Sequence, residues 1–312
     1  PMGVKNQNAL TLLALMGILG VGAWFRWLSL LGPLGYDEAY TYLHYASEPL
    51  WTTLSNYKLP NNHIFHSLLV KFSTTALGTS PLALRMPVFL AGITLIPVSY
   101  WAFAKYGGRQ LGLMTAMLVA LFYDLVSYSG EARGYILQAV FFLTAFGFSI
   151  DLVKNSASKR AVTGFVLALT LAFWTLPTTL YGAAFLFSWL FLESFLTRLQ
   201  NGNSSALKKV TQVMLIAAGI TFLLYLPALL FVAFKGIEVP ENSIQGSLLG
   251  ALPDYLSSQM RLFSKRWGGF FLGSAFSFFL LASLFRVAQP QRSFWMRVPL
   301  LVPLGLGPFL LM

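Results

Sequence analysis

Ionisable side chains are scarce in this 312-residue chain, and they gather in short polar stretches between long apolar runs. Asp37 and Glu38 are adjacent acids directly after the first apolar run, where carboxylates either cap a helix start or act as a base. Glu131, Arg133 and Tyr135 lie in a second stretch, and Arg133 opens an apolar run, where a charge is costly unless it meets an anion. These residue types suit proton abstraction beside a bound anion.

Two further stretches offer cations and histidines. Lys58, Asn62 and His63 could bind a substrate, although their segment is also typical of an Asn-rich turn that caps the next helix. A basic stretch from 261 to 266 either anchors the chain at a membrane interface or binds an anion, and its members are Arg261, Lys265 and Arg266. His63 and His66 could hold a divalent metal, an alternative that we do not favour.

The composition predicts the elements that must position these residues. Hydrophobic residues make up 56% of the chain, charged residues 10%, and the mean hydropathy is +0.68, which excludes an ordinary soluble domain. We therefore predict an all-α polytopic membrane protein with about nine transmembrane helices. Because Pro177 should divide one 32-residue run in two, these helices fall at 9–31, 86–104, 110–129, 134–150, 161–192 (two), 210–234, 269–285 and 298–312. The chain contains no cysteine, so disulfides and thiolate sites are excluded.

Charge placement predicts the orientation. Short loops rich in Lys and Arg remain cytoplasmic, so we expect a cytoplasmic N-terminus, with the polar loops 32–81 and 235–268 on the outer face. The membrane that we expect is a bacterial inner (plasma) membrane. In the first of these loops, the segments 37–48 and 63–78 should form amphipathic helices in the interface and not cross. The net charge of +11 is then explained by topology, and a nucleic-acid partner is not needed.

The ordered set of motifs resembles the GT-C superfamily of membrane glycosyltransferases, of the protein mannosyltransferase and aminoarabinose transferase type. The resemblance covers roughly residues 9–152 and rests on the Asp37-Glu38 pair, the stretch 80–87 that contains Arg85, and the stretch 128–135. It implies a polyprenyl-phosphate sugar donor, Asp37 in the catalytic position with Glu38 beside it, and Arg133 near the donor phosphate. His63 falls near a position where relatives read His-Pro-Pro, but the paired prolines are absent here.

We therefore expect an inverting glycosyltransferase that moves a sugar from a polyprenyl-phosphate carrier to a lipid, glycan or protein acceptor on the outer face. Such a transfer needs a base for the proton of the acceptor and cations for the departing phosphate. A phosphate leaves without a general acid, and we expect no cofactor to be required. Arg85 joins the candidate cations. The alternative is a transporter or flippase of lipid-linked sugars, which should carry ionisable residues at the bilayer midplane. We expect one GT-C-like domain over 1–312 that continues beyond the last apolar run.

Overall fold

The computed structural model describes residues 4–57, 61–155, 157–201 and 205–235, which all belong to one compact unit. This part of the chain is helical and contains no strand. Its helices are α1 (Val4–Ser29), α2 (Tyr36–Thr41), α3 (Leu50–Ser55), α4 (Ile64–Leu77), α5 (Pro81–Gly107), α6 (Arg109–Leu121), α7 (Tyr123–Tyr128), α8 (Tyr135–Lys154), α9 (Lys159–Thr175), α10 (Thr179–Asn201) and α11 (Ser205–Lys235).

Four helices in the described ranges are long and apolar enough to cross a membrane, as expected for an integral membrane protein. Their apolar segments are Asn6–Ser29, Pro81–Gly107, Tyr135–Val153 and Leu207–Phe234. Helix α8 lies between α5 and α9 and is the most buried of the four. At the end of α8 away from Tyr135, Asp151 forms an ion pair with Lys105 of α5 at 2.5 Å, which fixes these two helices together.

Of two further predicted runs, one divides as the sequence predicts and the other does not. The run 161–192 forms two helices, α9 and α10, and the break spans 176–178 around Pro177, as predicted. The run 110–129 does not form one helix, because α6 ends after 13 residues and extended backbone at Phe122 separates it from α7. The runs 269–285 and 298–312 lie outside the described residues.

The first polar loop contains more helices than the sequence pattern predicts. The segment 37–48 forms α2 followed by a π-helical turn at Tyr42–Ala46, and α3 follows where no helix was expected. The segment 63–78 forms α4, whose 14 residues are too few to span a bilayer. Its small polar side chains, His66, Ile64 and Val70 pack inward, whereas Phe72 is 76% exposed, so only part of the apolar surface of α4 is turned outward.

The predicted orientation can be tested by cysteine labelling, because the chain has no cysteine of its own. Ser47 in the first polar loop and Ala157 between α8 and α9 are both exposed, whereas Ser55 is buried and unsuitable. Cysteine at position 47 should react with a membrane-impermeant maleimide in intact cells, and cysteine at position 157 should react only after permeabilisation. The reverse pattern would overturn the orientation that the positive-inside rule predicts.

Candidate functional site

The carboxylate of Glu38 is buried and fully engaged. Its Oε1 accepts hydrogen bonds from Arg85 Nε at 2.8 Å and from the Ala132 backbone N–H at 2.7 Å. Its Oε2 accepts from Arg85 Nη2 and from the Gly35 backbone N–H, both at 2.7 Å. Burial by itself raises the pKa of Glu38, but the bonds from Arg85, Gly35 and Ala132 outweigh it and hold the pKa below its ordinary value. Glu38 therefore remains an anion that serves the fold.

The guanidinium of Arg85 is equally saturated. Besides the two bonds to Glu38, its remaining three N–H donors bind the backbone carbonyls of Leu30, Gly32 and Pro33 at 2.7–2.8 Å. All five donors are thus used within the protein. Arg85 was predicted to bind substrate, but in this structure no donor remains for a phosphate, and the side chain instead fastens the turn between α1 and α2 to the start of α5.

The side chain of Asp37 points away from that of Glu38, because the side chains of consecutive helical residues diverge by about 100°. Its side chain is 59% exposed, and its Oδ2 lies 3.4 Å from Nη1 of Arg133. An exposed contact of this length is weak and is easily displaced by a ligand. The two adjacent acids, indistinguishable in the sequence, therefore differ sharply: Glu38 is occupied, and Asp37 is accessible.

Arg133 is held in place by its neighbours. Its Nη1 donates to Asn61 Oδ1, its Nη2 donates to the Tyr135 hydroxyl at 3.3 Å, and the guanidinium lies over the Tyr135 ring at 5.6 Å. The side chain is only 10% exposed, so the cation is largely withdrawn from solvent. Such a constrained, partly desolvated guanidinium binds anions more strongly than a solvated one does.

His63 and His66 are buried beneath Arg133 and are neutral. His63 Nδ1 accepts a hydrogen bond from the Gly134 backbone N–H at 2.8 Å, so this ring orients the segment that carries Arg133. Burial, and next the charge of Arg133, lowers the pKa of His63 well below its ordinary range and that of His66 to about 3. Among the described residues, no group of three or more His, Cys, Asp or Glu side chains could hold a metal ion.

The remaining predicted residues lie in different places. Asn62 is buried and donates hydrogen bonds to the carbonyls of Thr53 and Asn56, so it shapes the loop before α4 and does not line the pocket described below. Glu131 is half-buried and accepts a bond from Ser127 Oγ at 3.0 Å. Lys58, Arg261, Lys265 and Arg266 lie outside the described residues.

A pocket of about 460 Å³ brings the accessible groups together. It is lined by Gly35, Tyr36, Asp37, Glu38, Tyr128, Glu131, Arg133 and Tyr135. The sequence analysis did not name Tyr36 and Tyr128 as site residues, although Tyr36 directly precedes Asp37 and Tyr128 begins the stretch 128–135. No protein-family model matches the chain, and no curated protein matches it either.

The Glu38–Arg85 pair should be essential for stability. Removing one partner leaves a buried charge, so Glu38→Gln or Arg85→Met should each cost about 3–5 kcal/mol, whereas Asp37→Asn should cost almost nothing. Thermal unfolding in detergent measures the difference. Equal melting temperatures for all three variants would contradict the structural role.

The same pair should make the protein acid-sensitive. Because the folded-state pKa of Glu38 is below its ordinary 4.5, its stabilising contribution is present above that value and is lost as the pH falls through the folded-state pKa. Thermal unfolding from pH 7 downward should therefore show an acid-dependent loss that is smaller in Glu38→Gln. Parallel pH profiles of the parent protein and this variant would contradict the low pKa.

Proposed function

We propose that this protein is an inverting membrane glycosyltransferase that transfers a sugar from a polyprenyl-phosphate carrier to a lipid, glycan or protein acceptor. The observation that supports it best is the division of roles between the adjacent acids. One carboxylate, Asp37, is accessible in a pocket beside a held guanidinium, Arg133, while Glu38 is committed to the fold. Transfer with a phosphate leaving group needs one base and one cation, and the pocket offers both.

In the proposed reaction, Asp37 accepts the proton of an acceptor hydroxyl. The hydroxyl oxygen forms a bond to the anomeric carbon from the face opposite the phosphate, which inverts the configuration. The bond between the anomeric carbon and the phosphate oxygen breaks, and the carrier phosphate leaves with the electron pair. Arg133 stabilises its negative charge. A bound substrate would replace the 3.4 Å contact between Asp37 and Arg133.

The position of the pocket suits a carrier lipid. It lies where the turn after α1 meets the segment between α7 and α8, near the end of α1 and the starts of α5 and α8, three of the helices long enough to span a membrane. A polyprenyl phosphate keeps its charged group at headgroup depth, so the attached sugar would reach Asp37 while the hydrocarbon chain stays in the bilayer. Tyrosines 36, 128 and 135 line the pocket, and amphipathic aromatic side chains of this kind favour the interface.

The direct test uses purified full-length protein in lipid nanodiscs with radiolabelled polyprenyl-phosphate sugars and candidate acceptors. Label that moves from the carrier to an acceptor supports the proposal. In liposomes, movement of an unaltered lipid-linked sugar between leaflets, without transfer to an acceptor, would instead support the alternative function of a transporter or flippase.

Asp37→Asn should lower the transfer rate by about 10² to 10⁴, because removing a positioned base costs that much, while donor affinity stays unchanged. Asp124, another aspartate in the first turn of a short helix but outside the pocket lining, provides the matched control. Asp124→Asn should keep the parental rate. Near-full transfer by Asp37→Asn would exclude Asp37 as the base.

Arg133→Ala should weaken donor binding, and Arg133→Lys should recover only part of the affinity because an ammonium lacks the two-pronged guanidinium. Arg109 is exposed, and its side-chain hydrogen bonds within the described residues go to Gln7 and Asn8, so Arg109→Ala is the control. Equilibrium binding of the labelled donor measures the effect. Donor affinity that is equal in all four proteins would remove Arg133 from the proposed site.

A further inference from the structure

Arg26 is a fully buried cation inside a membrane-spanning segment. It lies in the last turn of α1 and has no exposed surface. Within the described residues, no carboxylate lies within ion-pair distance of it. A charge in such a position is costly, and it persists where it serves a function or a specific partner.

The partner of Arg26 is the end of another helix. Nη2 donates to the carbonyl of Val119 at 2.8 Å, and Nη1 donates to those of Ala120 at 3.2 Å and Gly22 at 3.1 Å. The carbonyls of Val119 and Ala120 belong to the last turn of α6, which ends one residue later. Terminal carbonyls lack partners within their own helix and carry a partial negative charge. Arg26 therefore caps α6 from a neighbouring helix.

This cap lies close to the segment 129–134, with Gly92 of α5 between them. A Cβ placed on Gly92 would lie 2.2 Å from Ser129 Oγ and 3.0 Å from Arg26 Nε, so Gly92 packs closely against both residues. A Cβ on Gly130 would lie 2.5 Å from the Ser29 carbonyl oxygen, so the chain after α7 rests on the end of α1. The same segment supplies the Ala132 N–H to Glu38 and carries Arg133.

We propose that Arg26 is a positioning residue. By capping α6 at its break from α7, it holds the segment 129–134 in the position that brings Arg133 close to Asp37. Simple snorkelling to the interface does not explain this arrangement, because the guanidinium turns toward α6 and is completely covered. The role of this segment in sugar transfer rests on the proposed function, but its placement by Arg26 can be measured without any transfer reaction.

Single cysteines in the cysteine-free chain report the placement. Ala132 is buried in the segment, and Ala145 is buried in the middle of α8, away from it. Each is changed to cysteine in the full-length parent and in Arg26→Met, Arg26→Lys and Arg109→Met, and a permeant maleimide is applied in nanodiscs. Arg109 is the matched control because it lies at the opposite end of α6 and is exposed.

In Arg26→Met, the cysteine at 132 should react about tenfold faster or more. The carbonyls at the end of α6 lose their hydrogen-bond donor, which favours local opening of the segment 129–134. The cysteine at 145 should stay protected in every variant. Arg26→Lys should give an intermediate rate, and Arg109→Met should match the parent. Donor affinity provides a second readout: if Arg26 acts through Arg133, Arg133→Ala should weaken donor binding less in Arg26→Met than in the parent.

A cysteine at 132 that stays protected in Arg26→Met while 145 is protected overturns the proposal. If both positions react in Arg26→Met, the variant has opened generally and Arg26→Lys decides: selective reaction at 132 supports positioning, and parental protection overturns it. Absence of any transfer by the parent protein would remove the glycosyltransferase proposal and leave the labelling result valid.

Discussion

The ion pair between Glu38 and Arg85 is the interaction on which the rest of the site depends, because it joins three separate parts of the chain through groups that are all satisfied. Arg85 lies near the start of α5, Glu38 lies in the short α2, and Ala132 belongs to the segment between α7 and α8. A buried ion pair is seldom a net source of stability, since desolvation offsets its attraction. Its value here is geometric: four donors around one carboxylate permit a single arrangement.

That arrangement explains why Asp37 is left accessible. The helical geometry of α2 separates the directions of adjacent side chains, so inward commitment of Glu38 turns Asp37 toward the pocket. Arg133 is held at the opposite wall by Asn61 and Tyr135, while the neutral His63 orients the backbone beneath it. Asp37 and Arg133 are thus positioned by neighbouring groups that are themselves held by other contacts in the protein.

The two buried arginines solve the same physical difficulty in different ways. Arg85 meets an anion and three carbonyls of a turn, whereas Arg26 meets carbonyls at the end of α6. In a medium of low dielectric, a guanidinium without such partners would be prohibitively costly. Both therefore cross-link separate segments of the chain, and Arg133 is the one Lys or Arg among the described residues that line the pocket.

The sequence alone determined the helical class, the divided run around Pro177, the short helix at 63–78 and the two polar motifs that line the pocket, because apolar run length and proline position act locally. Tertiary structure decided the rest. Only the fold shows that Glu38 and Arg85 bind each other across 47 positions, that α6 ends at Leu121, and that the Arg26 guanidinium binds the last carbonyls of α6. Hydrogen-bond saturation of a buried charge depends on carbonyls and amides from distant segments, and no local pattern of side chains records which of them will meet.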